Sequence, residues 1–346
     1  MVNTLEADWY VDSEIYARER DRIFHPSWWL MGPSHLVSNP GDYLCDRICG
    51  WPVFVLRSQD GKLRAFLNVC RHRGATLLTK GYGGGINSVR CPYHGWLYDD
   101  HGRLQNTPKF GEELGDEKKS LSLHQIDVHV WNGLVFVKIA RDKGVGFDEW
   151  LGEVSGLCAD FPGPSSLDYY GEFTVEGELN WKTYCDNTVE GYHLNLIHPR
   201  LGTALAGGDV QLFSVNDGRS VAFDITHGAS GGAREARGAK GLWVYHFPGL
   251  QLVLGEKIFK AERVESNNSN HVRSINWAWY GELDEAAKHE AFAWGKQIVE
   301  EDFGICAKVT RNFRAGVFTP GPLSPSMEKH VARFQQIVKD ILLNGE

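Results

Sequence analysis

The chain has 346 residues, of which 42% are hydrophobic and 23% are charged, and these averages exclude a disordered chain or a fibre. Its 44 acidic and 36 basic residues give a net charge of -8, which disfavours a broad nucleic-acid or anionic-membrane surface. No apolar run approaches the roughly 18 residues of a membrane span, and the first residues lack a signal-peptide pattern. We therefore expect a cytoplasmic protein with two unequal domains.

One short helix is predicted near the start of the chain. Asp12 is a suitable N-cap, and Ile15, Tyr16, Ile23 and Phe24 fall near one helical face. We expect residues 1–40 to pack on the larger domain as a lead-in.

Two hairpins frame a small antiparallel β domain that we predict over residues 41–140. The pairs Asp60-Gly61 and Asn132-Gly133 each separate two runs rich in apolar and β-branched residues, as tight turns between strands do.

The remainder, residues 141–346, mixes strand-like and helical patterns. The chain is therefore predicted to be α+β, and its larger domain to have a twisted antiparallel sheet flanked by helices. Helical stretches are expected near residues 181–193 and 285–314. The glycine-rich segment 228–241 is typical of a mobile surface loop or lid.

Two short segments each carry one cysteine and one histidine. Cys70 and His72 lie in CRHRG, and Cys91 and His94 lie in CPYHGWLY. Four such residues in two tight groups are improbable as unrelated core cysteines and surface histidines. A structural zinc site is the stronger alternative, but it usually has two cysteines followed by two histidines. The alternating order favours a two-iron cluster with both cysteines on one iron and both histidines on the other.

These two segments resemble the Rieske [2Fe–2S] family, whose pattern is C-x-H followed by C-x-x-H-G-W. The chain has seven cysteines, and only Cys70 and Cys91 belong to this pattern. We expect the other five to be small buried hydrophobic residues.

A second group of candidate metal ligands lies in the segment NWKTYCDNTVEGYHLNLIHP. Glu190 and His193 are three residues apart and share a helical face, whereas His198 is about 140° from His193 on an ideal helix. Pro199 disfavours the α conformation at His198, so we predict that the helix breaks there and His198 turns toward His193.

Two histidines and one carboxylate form the facial triad of non-haem Fe(II) oxygenases. On the predicted helix 285–314, Asp302 falls at the edge of an apolar stripe, whereas Glu300 and Glu301 are predicted to point away. An acid at a core-facing position normally needs a partner or a metal, so Asp302 is the predicted third ligand. A partly exposed acid on a solvated helix is the alternative.

Nearly the whole chain now resembles the catalytic α subunit of Rieske-type non-haem iron oxygenases. The resemblance implies that Cys70, His72, Cys91 and His94 hold the cluster, and that His193, His198 and Asp302 hold a mononuclear iron. It also implies catalytic roles for Asn187 and Glu190. Glu190 would connect His193 to His94 of the next subunit in a homotrimer.

Two departures from the family pattern narrow the chemistry. Most relatives have Asp at the bridging position, whereas Glu190 resembles the carnitine-type oxygenases that act on quaternary amines. Asn187 precedes the bridge by three residues, where the naphthalene-type dioxygenases have a spacing of four. We expect monohydroxylation or oxidative N/O-dealkylation, with aromatic cis-dihydroxylation as one alternative and an iron–sulfur electron-transfer or sensor protein as another.

The substrate stays open between two chemistries. A quaternary or methylated amine favours an aromatic cage, and aromatic side chains are available on strand-like segments, although most are expected to pack the sheet. An aromatic acid or ether favours an arginine clamp, for which Arg234 and Arg237 are candidates. The candidate cage residues are Trp243, Tyr245, Phe247, Trp277, Trp279 and Tyr280.

The expected partners are a small organic substrate, O₂ and a separate NAD(P)H-dependent reductase or ferredoxin. The segment GYGGG follows no strand–helix context of a dinucleotide site, so electrons must come from another protein. No nucleic acid and no membrane is expected as a partner.

Overall fold

The computed structural model describes residues 2–112, 114–205, 210–225 and 240–344, and the chain divides into two compact units. The small unit is His25–Val145, and the large unit joins Met1–Phe24 to Gly146–Glu346. Helices and antiparallel sheets occur together, which confirms the α+β class. Most of the predicted lid, including Arg234 and Arg237, lies outside the described residues.

The boundary between the units differs from the predicted one at residue 40. Trp28–Pro33 is a strand that pairs antiparallel with Leu134–Lys138, so the chain enters the small unit directly after Phe24. All six residues of this strand are buried. Its apolar side chains therefore do not alternate with polar ones, and periodicity could not identify it as a strand.

The small unit contains a seven-stranded antiparallel sheet and a three-stranded one. Both predicted hairpins are present, and Asn132 and Gly133 have φ of 47° and 73°, as a type I′ turn requires. The larger sheet has the spatial order Trp28–Pro33, Leu134–Lys138, Gln125–Trp131, Leu63–Leu67, Trp51–Arg57, Tyr43–Ile48 and Tyr82–Gly83. The smaller sheet comprises Ser88–Arg90, Leu97–Asp99 and Leu104–Asn106.

The large unit is built on a second seven-stranded antiparallel sheet. Its spatial order is Asp168–Gly177, His271–Tyr280, Ile258–Asn268, Leu250–Gly255, Gly241–His246, Ser220–Asp224 and Gln211–Val215. The helices in the described part of this unit are Asp8–Val11, Ser13–Glu19, Phe147–Leu151, Val154–Cys158, Trp181–Thr188, Leu194–Ile197, Pro199–Leu205, Glu285–Arg314 and Lys329–Asn344. The helix Glu117–Ser120 lies in the small unit, and helical turns of other kinds occur at Arg20–Phe24, Ser34–Val37 and Asn216–Gly218.

Side-chain caps fix where the principal helices begin. The Asp12 side chain accepts a hydrogen bond from the Glu14 N–H at 2.6 Å, as predicted for an N-cap. Asp284 caps the long helix Glu285–Arg314 by accepting from the Ala287 N–H at 2.7 Å, and this helix has the predicted bounds.

The helix predicted over 181–193 is shorter than expected. It begins at Trp181, where Asn180 accepts from the Lys182 N–H at 2.9 Å, and it ends at Thr188. Beyond it the Glu190 carboxylate accepts from the backbone N–H groups of Tyr192 and His193, and this replaces the helical hydrogen bonds.

All seven cysteines are free and buried, so the five outside the motif are buried as expected. Within the described residues, no helix is both long enough and apolar enough to cross a bilayer.

Candidate functional site

The two Cys/His loops of the small unit close in the same way. The Gly74 N–H donates to the Cys70 carbonyl and the Gly95 N–H to the Cys91 carbonyl, both at 3.0 Å. The two glycines have φ of 75° and 76°, a left-handed conformation that favours glycine. The G that follows each histidine in the motifs is therefore a requirement of the loop backbone.

The four motif side chains of these loops fit an iron–sulfur cluster. Cys70 and Cys91 are buried, and the rings of His72 and His94 lie 4.8 Å apart. Among the described residues, the Nδ1 atoms of both histidines are buried without a hydrogen-bond partner. An unpaired buried nitrogen costs free energy, and ligation by iron through Nδ1 removes that cost.

A tyrosine that the sequence motifs did not indicate lies beside the predicted cluster ligands. The Tyr98 hydroxyl is 3.3 Å from the Cys70 sulfur and accepts from the Arg71 N–H at 3.0 Å. A metal-bound thiolate has no proton, so if Cys70 ligates iron, the Tyr98 hydroxyl is the donor in this contact. Hydrogen bonds to ligand sulfurs adjust the reduction potential of a cluster, so Tyr98 is a candidate for that role.

In the large unit, His193, His198 and Asp302 converge. One potential ligand atom from each lies within 4.8 Å of the other two, as a shared metal ion requires. His198 Nε2 is 2.9 Å and His193 Nε2 is 3.6 Å from the same Asp302 oxygen, Oδ1.

The predicted break before Pro199 turns His198 toward this point. His198 has φ of -121° and ψ of 71°, outside the helical region, between the helices Leu194–Ile197 and Pro199–Leu205. The ring centroids of His193 and His198 are 5.4 Å apart as a result.

Each of the two histidines is held on its far side by a glutamate. Glu190 Oε1 is 2.5 Å from His193 Nδ1, and Glu301 Oε2 is 2.7 Å from His198 Nδ1. A carboxylate that accepts the Nδ1–H leaves Nε2 as the metal-binding nitrogen and increases its basicity. Burial lowers the pKa of His198, but Asp302 and Glu301 together raise it above its ordinary value.

The position of Glu301 corrects the prediction that it points away. A helical wheel follows only the direction of the Cβ atom, whereas the long glutamate side chain reaches sideways to His198. Gln297, one turn earlier, donates to the other Glu301 oxygen at 2.7 Å and orients the carboxylate. In the sequence, the one indication that the Glu301 carboxylate is held in place was a glutamine four residues before it, since such pairs face each other on a helix.

Asn187, for which the resemblance implies a catalytic role, lies beside the three converging side chains. Its amide nitrogen is 2.7 Å from Asp302 Oδ1 and 3.5 Å from His193 Nε2. Behind it, Asp186 accepts from the Tyr10 hydroxyl at 2.6 Å, and burial raises the pKa of Asp186 to about 7.

A cavity of about 170 Å³ opens beside the three converging side chains. Aromatic residues and four acids line it. The aromatic lining is Tyr184, Phe223, Trp243, Tyr245 and Trp294, and the acids are Glu190, Glu262, Glu290 and Asp302.

Only part of the candidate aromatic cage reaches this cavity. Trp243 and Tyr245 line it. The other four pack elsewhere: Phe247 packs on Trp181 and Phe334, Trp277 donates to Glu172, Trp279 packs on Tyr169 and Phe259, and Tyr280 packs on Tyr170. Tyr184, Phe223 and Trp294, which the sequence did not single out, complete the aromatic lining.

Two Cys/His loops and a two-histidine, one-carboxylate group in one chain define the class of Rieske non-haem iron proteins. Residues 27–127 match the Rieske [2Fe-2S] domain, and residues 164–249 and 261–344 match the catalytic domain of the ring hydroxylating alpha subunit. The chain belongs to this family of Rieske-type oxygenase α subunits, as its motifs predicted. The cofactors of the family are the [2Fe–2S] cluster and a mononuclear non-haem iron.

Relatives with known activities include enzymes that act on quaternary amines. The carnitine monooxygenase oxygenase subunit of Acinetobacter baumannii is 31% identical over 196 residues, which cover 55% of this chain and 51% of the relative. The chloroplastic choline monooxygenase of Spinacia oleracea is 32% identical over 207 residues, which cover 59% of this chain and 47% of the relative. The chain thus spans about half the length of these relatives.

Solved structures share the fold over almost the whole chain. A quaternary ammonium Rieske monooxygenase in complex with L-carnitine has a TM-score of 0.85 at 21% identity, covering 97% of this chain and 95% of that one. Naphthalene 1,2-dioxygenase with bound indole has a TM-score of 0.73 at 20% identity, covering 97% and 92%.

Proposed function

We propose that this chain is the terminal oxygenase of a multicomponent system that inserts one oxygen atom from O₂ into a small organic substrate. The observation that carries the proposal is the convergence of His193, His198 and Asp302 on the wall of a cavity, in a chain that also has a Rieske domain. When bound, the cluster supplies single electrons and the mononuclear iron supplies activation of O₂. The reaction consumes O₂, two electrons and two protons and yields a hydroxylated product and water.

The residues around the iron site have distinct roles in this proposal. His193, His198 and Asp302 would hold the iron, and Glu190 and Glu301 fix the two imidazoles with Nε2 directed at it. The Asn187 amide donates to Asp302 and so restricts the orientation of that carboxylate. Because only three side chains would supply ligands, a bound iron would keep open positions for O₂.

Electrons are proposed to reach this site from another subunit. Glu190 contacts His193 within its own chain and would also accept from His94 of the partner subunit, in a homotrimer. A structure report on a quaternary ammonium Rieske monooxygenase of the same fold describes inter-subunit electron transfer. A separate reductase or ferredoxin would reduce the cluster, with NAD(P)H as the ultimate donor.

The proposed substrate is a quaternary or methylated amine. The relatives at 31% and 32% identity are carnitine and choline monooxygenases, and Trp243 and Phe223 provide aromatic surface on the cavity. Hydroxylation of a carbon bonded to nitrogen gives a product that splits into an amine and an aldehyde. Oxidative dealkylation and simple hydroxylation therefore share one first step.

The test is a coupling measurement with reductase, NADH and candidate substrates. We expect L-carnitine, choline or a related amine to give about one product per O₂ consumed, and naphthalene to give none. Formaldehyde release would identify demethylation.

Iron content separates this function from the alternative of an electron-transfer or sensor protein. Roughly three irons per chain are expected for a cluster plus a mononuclear site, and two for a cluster alone. Two irons with no coupled substrate would contradict the oxygenase proposal.

A further inference from the structure

A carboxylate that no sequence pattern singled out lies on the cavity wall. Glu262 belongs to the strand Ile258–Asn268, is only 8% exposed, and lines the same cavity as Asp302. One of its oxygens, Oε1, accepts hydrogen bonds from the Tyr184 hydroxyl at 2.9 Å and from the Ser274 hydroxyl at 2.6 Å. These two bonds fix the orientation of the carboxylate.

The second oxygen of Glu262, Oε2, is open to the cavity. Within the described part of the chain it accepts no hydrogen bond, and it is not among the buried polar atoms that are closed to solvent. A carboxylate that is more than nine-tenths buried normally has a partner or a cation beside it. The space next to Oε2 is therefore suited to a positively charged ligand.

The other acids of the cavity wall are already engaged. Glu190 and Asp302 contact the histidines of the metal site, and Glu290 forms an ion pair with Arg200. Arg200 and Glu290 are also largely exposed, which places them where the cavity meets solvent. Of the four acids described on this wall, Glu262 is the one that contacts neither a histidine of the metal site nor a basic side chain in an ion pair.

The charges around Glu262 bear on its protonation. Burial, and to a smaller extent the charge of Asp302, raise the pKa of Glu262 above its ordinary value, and the hydrogen bonds from Ser274 and Tyr184 and the charge of Lys260 offset only part of that rise. Lys260 precedes it by two residues on the same strand, with its ammonium 5.5 Å from the centre of the Phe173 ring. A ligand cation beside Oε2 would act in the same direction as Lys260 and favour the carboxylate.

Aromatic rings on the same cavity suit a cation that lacks N–H donors. Phe223 and Trp243 both line the cavity, with ring centres 6.2 Å apart and planes inclined by 54°. Aromatic faces attract alkylated ammonium groups through their electrostatic quadrupole. One face of the Trp294 indole is already occupied, because the Arg200 guanidinium lies 4.5 Å above that ring.

We propose that Glu262 is the counter-ion for the cationic nitrogen of the substrate and sets the charge specificity of this cavity. The proposal rests on the proposed function, because it takes this cavity as the substrate site. A compact alkylated ammonium ion would neutralise Oε2 and contact the aromatic wall. A neutral substrate of the same shape would leave the oxygen Oε2 without a partner, which is unfavourable.

The test compares two probes of equal shape and different charge in the full-length protein. Choline and its neutral carbon isostere, 3,3-dimethyl-1-butanol, are titrated by calorimetry into the wild type and Glu262→Gln. We expect the wild type to prefer choline by about tenfold or more and the variant to bind both within about twofold. An unchanged preference for choline in Glu262→Gln would overturn the proposal.

Two further variants separate charge from packing. Glu262→Asp keeps the negative charge and should retain a preference for choline, although a weaker one. Glu290→Gln removes an acid that is already paired with Arg200 and should keep the full preference. If Glu290→Gln lost the preference as completely as Glu262→Gln, the net charge of the cavity would be responsible and Glu262 would have no special role.

The binding experiment tests the role of Glu262, and the turnover experiment tests the oxygenase function, so the two proposals can be contradicted separately. The titration requires no electrons and no reductase, and circular dichroism with thermal unfolding verifies that the large unit of each variant is folded. Coupled turnover of a neutral arene without choline binding would overturn the role of Glu262 and leave the oxygenase function intact. Choline binding that depends on Glu262, without oxygenation of any substrate, would support the counter-ion and contradict the oxygenase function.

Discussion

The two candidate metal sites are constructed in opposite ways. In the small unit, each Cys/His loop spans five residues, 70–74 and 91–95, and hydrogen bonds within the loop determine its shape. In the large unit, Asp302 comes from the long helix, 104 positions after His198. A five-residue motif can specify the first kind of site, whereas the second exists only after the unit has folded.

Contacts between two helices hold the distant carboxylate in place. Phe303 packs its ring 4.9 Å from Tyr184, and the Cys306 thiol donates to the Thr183 carbonyl at 3.3 Å. These contacts join the long helix to Trp181–Thr188. Burial of a phenylalanine side chain contributes about 1.5–3 kcal/mol, so packing of this kind positions Asp302 beside Asn187.

The comparison predicts that each site can be emptied without the other. Cys91→Ala should lose about two irons per chain and the visible absorption of the cluster, and Asp302→Ala should lose about one iron and keep that absorption. Both variants should lose coupled turnover completely. Metal analysis with absorption spectra checks this, and normal iron content with normal turnover in Asp302→Ala would show that it is not the third ligand.

Glu190 should connect the two sites for electron transfer without being required for the binding of the cluster or of the mononuclear iron. We expect Glu190→Ala to keep both metals and to lose turnover, because the path between the cluster and the iron site would be interrupted. Its carboxylate also accepts from backbone N–H groups, so Glu190→Gln, which keeps an acceptor oxygen, is the matched variant. Full activity in Glu190→Ala, measured as product per NADH, would contradict the relay.

A smaller effect is expected at the glutamate behind His198. Glu301→Gln should weaken iron binding by roughly 10–100-fold, since the imidazole loses its orienting carboxylate. The control is Glu300→Gln at the neighbouring acid, which pairs with Lys296 at 3.6 Å and should leave iron affinity unchanged. Equal iron affinities in competition with a chelator for both variants would show that the contact of Glu301 with His198 has no such role.

The smallest expected effects are changes in the free energy of unfolding at two glycines. One glycine is required by its backbone conformation, and the other only lowers helix propensity. Gly74 has φ of 75° with nothing near its missing Cβ, so Gly74→Ala should cost about 1–2 kcal/mol through strain alone. Gly304, in the long helix, also has open space, and Gly304→Ala should stabilise by about 1 kcal/mol. Thermal unfolding of each variant checks both signs, and stabilisation by Gly74→Ala would contradict the local account.

Predictions that depend on a few neighbouring residues agreed with the structure. The Asn132-Gly133 hairpin, the long helix Glu285–Arg314 and the non-helical backbone at His198 all follow from local dihedral preferences. The prediction of a helix up to residue 193 was wrong. The Glu190 carboxylate accepts hydrogen bonds from backbone N–H groups that would otherwise form the helical hydrogen bonds.

Predictions about which side chains face one another were less successful. Of the six candidate cage residues, only Trp243 and Tyr245 line the cavity, and Phe247 packs against Trp181 and Phe334. The strand Trp28–Pro33 was assigned to the wrong unit, since its partner strand Leu134–Lys138 is about 100 residues away. Both errors concern contacts between elements that are remote in the sequence.

The sequence by itself determined the kinds of metal site in this protein. Cysteine and histidine at fixed spacing, glycine where φ is positive, and a proline after His198 act through covalent geometry and local hydrogen bonds, which a short segment contains in full. The tertiary structure alone decided that Glu301 contacts His198 and that Glu262 faces the cavity. These depend on helix packing and strand register, which bring together side chains that no local rule relates.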